Sequence, residues 1–249
     1  MAKPKATDDT AEAPALDSDK VMSIVEHLDE LRVRLLRSLV YIVVAMSVSL
    51  LVCKRILRFL EAPAGGITFQ ALSLEEPLVV FVKVAFYSGL VLASPLILFE
   101  ISRFVAPGLT NRERKIMMPI MVGSPLLFCL GGAFAYYALL PSMLHFFSSF
   151  GQGVTPINQR LDFYISLVSS VLLYMGICFQ LPVVIFALSF TGIIDSRRLM
   201  SIWKYAVFAS AIVAAVITPD PTAFSMILVM LALTALYFIS IVLLKLFGR

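Results

Sequence analysis

The sequence predicts an all-α polytopic membrane protein with six transmembrane helices, N and C termini cytoplasmic, and fifth and sixth helices short. Three observations carry this expectation. Hydrophobic residues make up 60% of the 249-residue chain and charged residues only 14%. Mean hydropathy is +0.94. Six apolar runs alternate with turn-forming residues. A soluble domain carries about 25% charged residues, so composition alone places the chain among membrane proteins.

The runs are Leu35–Cys53, Pro77–Phe104, Ile116–Leu140, Phe163–Ile194, Ile202–Ile217 and Thr222–Leu244. Crossing about 30 Å of hydrocarbon takes about 20 helical residues. Ala62-Pro63-Ala64-Gly65-Gly66 breaks the chain after run one, and Ala106-Pro107-Gly108 follows run two. Gly151, Gly153 and Pro156 mark the third connection, and Thr218-Pro219-Asp220-Pro221 separates runs five and six. Run four exceeds one crossing and holds Gly176 and Pro182, which predicts tilt or a bend. Run five amounts to about 22 Å of helix, so runs five and six read as short crossings rather than a re-entrant hairpin.

Residues 1–22 read as a disordered polar cytoplasmic tail without a cleavable leader, and residues 23–249 as the membrane domain. That domain opens on an amphipathic helix. Val21, Ile24, Leu28, Leu31 and Leu35 form one apolar stripe, and Ser23-x-x-Glu26 fits a capping box at its start. With the N-terminus inside, 15 of the 20 Lys and Arg residues fall on the inner side and four (Lys54, Arg55, Arg58, Arg160) on the outer. Lys83, near the outer end of run two, is placed to snorkel outward.

The interior is poor in chemistry. Runs three to six hold almost no ionisable residue between their ends, whereas ion-coupled carriers place titrating groups near the midplane. Gln180 is the deepest strongly polar side chain, suited to an interhelical hydrogen bond. Cys53, Cys129 and Cys178 form no motif, His27 and His145 stand apart, and no nucleotide or hydrolase motif occurs. The chain is therefore read as no enzyme, with no metal, no cofactor and no nucleic-acid partner. A small-solute transporter would need midplane charge and repeat symmetry; a membrane enzyme would need clustered His, Asp or Cys near one interface.

Two carboxylates stand among many inner-face cations. Glu30 lies in His27-Leu28-Asp29-Glu30-Leu31-Arg32-Val33-Arg34, and Glu113 in Thr110-Asn111-Arg112-Glu113-Arg114-Lys115. Each has a structural role open to it. Glu30 can pair with Arg34 one turn on, and Glu113 can close a Thr110-x-x-Glu113 capping box.

The order and spacing of several segments resemble the TatC family, the polytopic subunit of the twin-arginine protein translocase. They are His27-Leu28-x-Glu30-Leu31-Arg32-x-Arg34-Leu35-Leu36, Ala62-Pro63, Glu76-Pro77, Phe104-x-Ala106-Pro107-Gly108-Leu109, Glu113-Arg114, Gly132-Ala133-Phe134-Ala135-Tyr136 and Thr218-Pro219-Asp220. The resemblance implies a receptor in the bacterial inner membrane that binds twin-arginine signal peptides of folded cargo at the cytoplasmic face. It also implies assembly with single-span TatA- and TatB-type subunits and with further copies of itself, for export driven by the proton gradient. The implied recognition residues are Glu30 and Glu113, with Arg32, Phe104, Leu109 and Arg114 around them. Pro63, Gln180 and Asp220 match positions tied to partners or transport. Gln180 stands where some members carry a glutamate, so a titrating carboxylate there cannot couple this protein to the gradient. Asp220 is displaced by one place from the family's usual Thr-Pro-Pro-Asp. Thr234 and Ser240 are polar positions that could mark a partner face or ordinary helix packing.

Overall fold

The computed structural model describes residues 24–65, 68–71, 73–105, 111–151, 158–190, 194–218 and 223–246. Five of its helices are long and apolar enough to cross a membrane. The predicted tail at 1–22 and its capping Ser23 lie outside the described residues.

The amphipathic stripe and run one form a single helix, α1 (Ile24–Glu61), of 38 residues. At 1.5 Å per residue it extends about 57 Å, nearly twice the hydrocarbon thickness, so its N-terminal turns project beyond the apolar layer. α2 (Glu76–Val105) returns antiparallel against it. The two backbones meet closely at Gly89, where a Cβ would lie 2.8 Å from the Met46 Cα.

Run three forms one long helical path: α3 (Asn111–Phe134), a π-helical turn (Ala135–Leu139) and α4 (Leu140–Gly151). Pro141 stands just past the π turn. Its ring crowds the carbonyl four residues back, and the wider turn relieves that contact. Pro95, Pro119 and Pro125 sit inside continuous helices, as apolar surroundings tolerate when neighbouring helices complete the backbone bonding.

Run four bends where its composition predicted. α5 (Leu161–Cys178) ends, Phe179 and Gln180 turn, and α6 (Leu181–Phe190) begins. Pro182 fits the first turn of the new helix, where it has no bond to lose. Gly131 of α3 lets the helices touch at this level, since a Cβ would lie 2.5 Å from the Met175 carbonyl oxygen.

A short α7 (Ser196–Ser201) precedes α8 (Trp203–Ile217) and α9 (Ala223–Leu246). α8 has the expected 15 residues. α9 does not fit the expectation of a short sixth helix: it has 24 residues and qualifies as a full crossing. The run Thr222–Leu244 already has the length of a crossing, and the helix continues through Lys245 to Leu246. The all-α class stands, with one small addition. Two three-residue strands, β1 (Thr68–Gln70) and β2 (Asn158–Arg160), pair in parallel between the connections that follow α1 and α4. There they satisfy backbone groups that no helix serves.

The buried side chains form two clusters. One, with Leu139, Met143, Tyr164, Val168 and Met175, fills the half of the bundle near these strands. The other, with Met117, Phe186, Leu199, Tyr237 and Ile241, fills the half where α1 begins. Outside them large apolar residues remain exposed, including Leu39, Val40, Val43, Val44 and Leu51 on α1. An apolar surface of that extent is expected where lipid, not water, is the solvent.

The end of α1 is closed by phenols. Tyr136 Oη donates to the Phe59 carbonyl at 2.7 Å and Tyr164 Oη to the Leu60 carbonyl at 2.8 Å. These are among the last carbonyls of the helix, which have no intrahelical donor. Tyr164 is fully buried, so its hydroxyl has this one carbonyl as its partner in place of water. Tyr164→Phe is expected to lower stability in detergent by about 1–2 kcal/mol, the cost of an unpaired buried carbonyl. Thermal unfolding checks this, and an unchanged midpoint would show that the carbonyl finds another donor.

Candidate functional site

At the end of the bundle where α1 begins, three helices bring charge together. Glu30 and Arg34 lie one turn apart on α1, and Glu100 lies near the end of α2. Arg34 divides its guanidinium between the two acids. Its Nε donates to Glu30 Oε1 at 3.1 Å, and Nη2 contacts the same oxygen. Its Nη1 donates to Glu100 Oε2 at 3.0 Å. Tyr41, two turns further along α1, donates its hydroxyl to Glu100 Oε1 at 3.3 Å. Both Glu100 oxygens are thus engaged, and the residue is 4% exposed.

Glu30 differs. Its Oε2 is buried and has no hydrogen-bond partner among the described residues. His27 Nδ1 stands 3.7 Å from it. That imidazole lies flat on the Phe104 ring, with centroids 4.2 Å apart and planes 12° from parallel. The stack ties the start of α1 to the end of α2 beside the acid.

A recess of about 390 Å³ opens next to this cluster, lined by Arg34, Phe99, Ser102, Arg103, Arg114 and Met118, with Met121 and Val122 at its α3 wall. Arg103 lies over the Phe99 ring at 5.1 Å, so one wall is both aromatic and cationic. The recess combines three guanidinium groups with aromatic and apolar side chains, and Arg34 links it to the Glu30 and Glu100 carboxylates behind it. Its apolar wall suits an extended peptide segment, and a cationic side chain would find its counter-charge only at the carboxylates that Arg34 covers.

Of the residues singled out in the sequence, Glu30, Phe104 and Arg114 come together here, while Arg32 points from an exposed position on α1. Glu113 lies in the first turn of α3, but its side chain, like Leu109 and Asp220, lies outside the described residues. Pro63 sits at the opposite end, in the 3-10 turn Ala62–Ala64. Gln180 lies at the α5–α6 bend and donates through Nε2 to the Ser124 carbonyl of α3 at 2.9 Å, the expected interhelical bond. Thr234 and Ser240 are occupied within the chain: Thr234 bonds Ser210 of α8 at 3.1 Å, and Ser240 donates to Leu236.

Sequence reasoning missed Glu100 and Tyr41 as members of the cluster. The available signal was a carboxylate in an otherwise apolar run, which requires a partner. It missed a second cluster as well. At the opposite end Lys83 does not reach outward alone; it pairs with Asp162 and donates to Ser166 at 2.9 Å. Glu76, 3% exposed, accepts from the Asp162 backbone N–H at 3.4 Å and faces Arg160 Nε at 3.6 Å. These contacts join α2 to the start of α5. Among the described residues no group of His, Cys, Asp and Glu is arranged to hold a metal ion.

The class these features define is a multi-pass helical membrane protein with a charged peptide-sized recess at one end. The family model described as Sec-independent protein translocase protein (TatC) matches residues 26–231. A Synechocystis protein named Sec-independent protein translocase protein TatC is 38% identical over 231 residues, covering 93% of this chain and 91% of its own length. A chloroplastic TATC of Arabidopsis thaliana is 38% identical over 240 residues, 94% of this chain and 69% of that protein. A crystal structure titled as the twin arginine translocase receptor TatC in DDM superposes with a TM-score of 0.78 at 33% identity, covering 88% of this chain and 99% of that one. The chain belongs to the TatC family and is a component of a Sec-independent twin-arginine protein translocase.

Arg34→Ala is expected to cost about 2 kcal/mol of stability, less than the roughly 3–5 kcal/mol of a fully buried pair because 15% of the arginine side chain is exposed. Adding Glu100→Gln should return part of that loss, because no charge is then stranded. Thermal unfolding of both variants decides it; equal losses would mean that Glu100 reaches water.

Proposed function

We propose that this protein is the receptor and core scaffold of the translocase, binding twin-arginine signal peptides of folded cargo at its cytoplasmic face. The observation that carries the reading is Glu30 Oε2, a buried carboxylate oxygen without a hydrogen-bond partner among the described residues, beside a recess of peptide dimensions. Two adjacent cargo arginines present two planar forks that keep their charge near neutral pH. Glu30 takes one fork and Glu113, on the next helix but one, takes the other. Charge-assisted and bidentate bonds of this kind discriminate guanidinium from the ammonium of lysine. Arg32, Arg114 and Lys115 hold the site selective by repelling cations that make no such fit. Phe104 and the apolar recess wall receive the peptide's greasy segment, with Leu109 in the stretch of sequence joining α2 to α3.

The same reading places α8 as a sixth, short crossing, both termini in the cytoplasm and the chain in a bacterial inner membrane. Two features support it: the excess of Lys and Arg on one side and the length of α1 beyond the hydrocarbon. Single-span TatA- and TatB-type helices and further receptor copies would use the exposed apolar faces. Pro63 and Asp220 would serve from the outer connections, and Gln180 as a polar contact inside the membrane.

Binding of a fluorescent signal peptide to the purified protein tests the reading. Glu30→Ala/Glu113→Ala should weaken binding more than tenfold without loss of membrane insertion, and changing the peptide's two arginines to lysine should weaken it by about as much. Unchanged affinity in the double variant would refute it.

A further inference from the structure

The carboxylate that the proposed function assigns to cargo is already held by an arginine of the protein itself. Arg34, Glu30 and Glu100 together carry one positive and two negative charges when ionised, a surplus of one negative charge. The shares are unequal. Glu100 is engaged at both oxygens, by Arg34 and by Tyr41. Glu30 is engaged at one oxygen only, and the other is buried without a hydrogen-bond partner among the described residues. Three further groups face the cluster: His27 from α1, and Arg103 and Arg114 from the recess walls on α2 and α3.

Resting on the reading above, we propose that Arg34 is an internal stand-in for a cargo arginine, and that Glu100 is the positioning residue that lets cargo take its place. An incoming guanidinium meets Glu30 at the unengaged oxygen and draws it from Arg34. The cost of that step is set by what Arg34 has left. With Glu100 beside it, Arg34 keeps a charged partner in a partly desolvated position, and the step is an exchange of partners. Without Glu100, Arg34 would lose its only counter-charge, and such losses are expensive away from water. Glu100 never touches the cargo in this scheme. It sets how firmly Glu30 is withheld, and so how much better than a solitary cation a cargo arginine must bind.

The test is peptide binding to the full-length protein in detergent, using a synthetic fluorescent peptide with two consecutive arginines followed by an apolar stretch. Glu100→Gln leaves Arg34 with Glu30 as its only charged partner in the triad, and affinity should fall about tenfold. Arg34→Gln/Glu100→Gln removes the competitor together with its anchor, and affinity should return to within about twofold of the unaltered protein or exceed it. A merely structural role for Glu100 predicts no such recovery, so a double variant as weak as Glu100→Gln overturns the proposal. Unaltered affinity in Glu100→Gln also overturns it. Glu30→Gln separates this from the receptor reading itself: lost binding there with normal Glu100→Gln binding sinks only the exchange. Normal binding in Glu30→Gln sinks the receptor reading too. If Glu100→Gln fails to fold, Arg34→Lys answers instead. A point charge cannot grip two carboxylates at once, so peptide affinity should rise several-fold, and unchanged or weaker binding overturns the exchange.

Discussion

The fold at the end where α1 begins depends on one constraint: a carboxylate placed in an apolar helix near the end of α2 must find a counter-charge. Glu100 is almost wholly buried, and an unpaired charge there would cost several kcal/mol. Arg34 supplies the counter-charge from α1, which locks the rotation and depth of α1 against α2. Tyr41 engages the second oxygen from two turns further along the same face of α1. The His27–Phe104 stack adds a second tie between the start of α1 and the end of α2. α1 has few other reasons to hold one position, because most of its apolar surface faces outward. Packing against lipid gives no preference for one rotation over another, whereas a divided guanidinium does.

The opposite end solves a related problem with different residues. Glu76, Asp162, Lys83 and Arg160 tie α2 to α5 through ion pairs, and β1 and β2 pair the backbone of the two connections there. Between these two polar ends the helices satisfy themselves. Serine hydroxyls such as Ser47, Ser102 and Ser142 turn back onto carbonyls four residues earlier, and Gln180 finds a carbonyl on α3. The bundle is therefore specified by its ends and packed by shape in the middle, where Gly89 and Gly131 set the closest approaches.

Much of this was legible in the sequence, for a physical reason. A membrane crossing is a run of consecutive residues, so length and hydropathy reveal it without knowledge of contacts. Gly176 and Pro182 announced the bend at 179–180 because they act on their own backbone. The i,i+4 pair Glu30–Arg34 was legible for the same reason. What failed to show was whatever depends on distant partners. Glu100 and Arg34 are 66 residues apart, and Lys83 and Asp162 are 79 apart. A single sequence records that a charge is out of place but not what neutralises it. The sixth run, Thr222–Leu244, already had the length of a full crossing, so the expectation of a short sixth helix did not follow from its own residues.

The local pair and the distant pair also differ in what they permit. An i,i+4 contact between Glu30 and Arg34 would by itself be a surface ion pair worth a few tenths of a kcal/mol, made and broken freely. Joining it to a buried acid changes its character, because Arg34 is then retained whichever way Glu30 turns. A recognition carboxylate needs both properties. It must be shielded, so that stray cations do not occupy it, and it must be releasable, so that the right ligand does. Shielding by a guanidinium of the protein itself meets the first need with the same bond geometry that the ligand offers. Release follows because the shield has a second place to rest. On this view the acid in α2 that looks least connected to the aqueous face is what makes the acid on α1 usable.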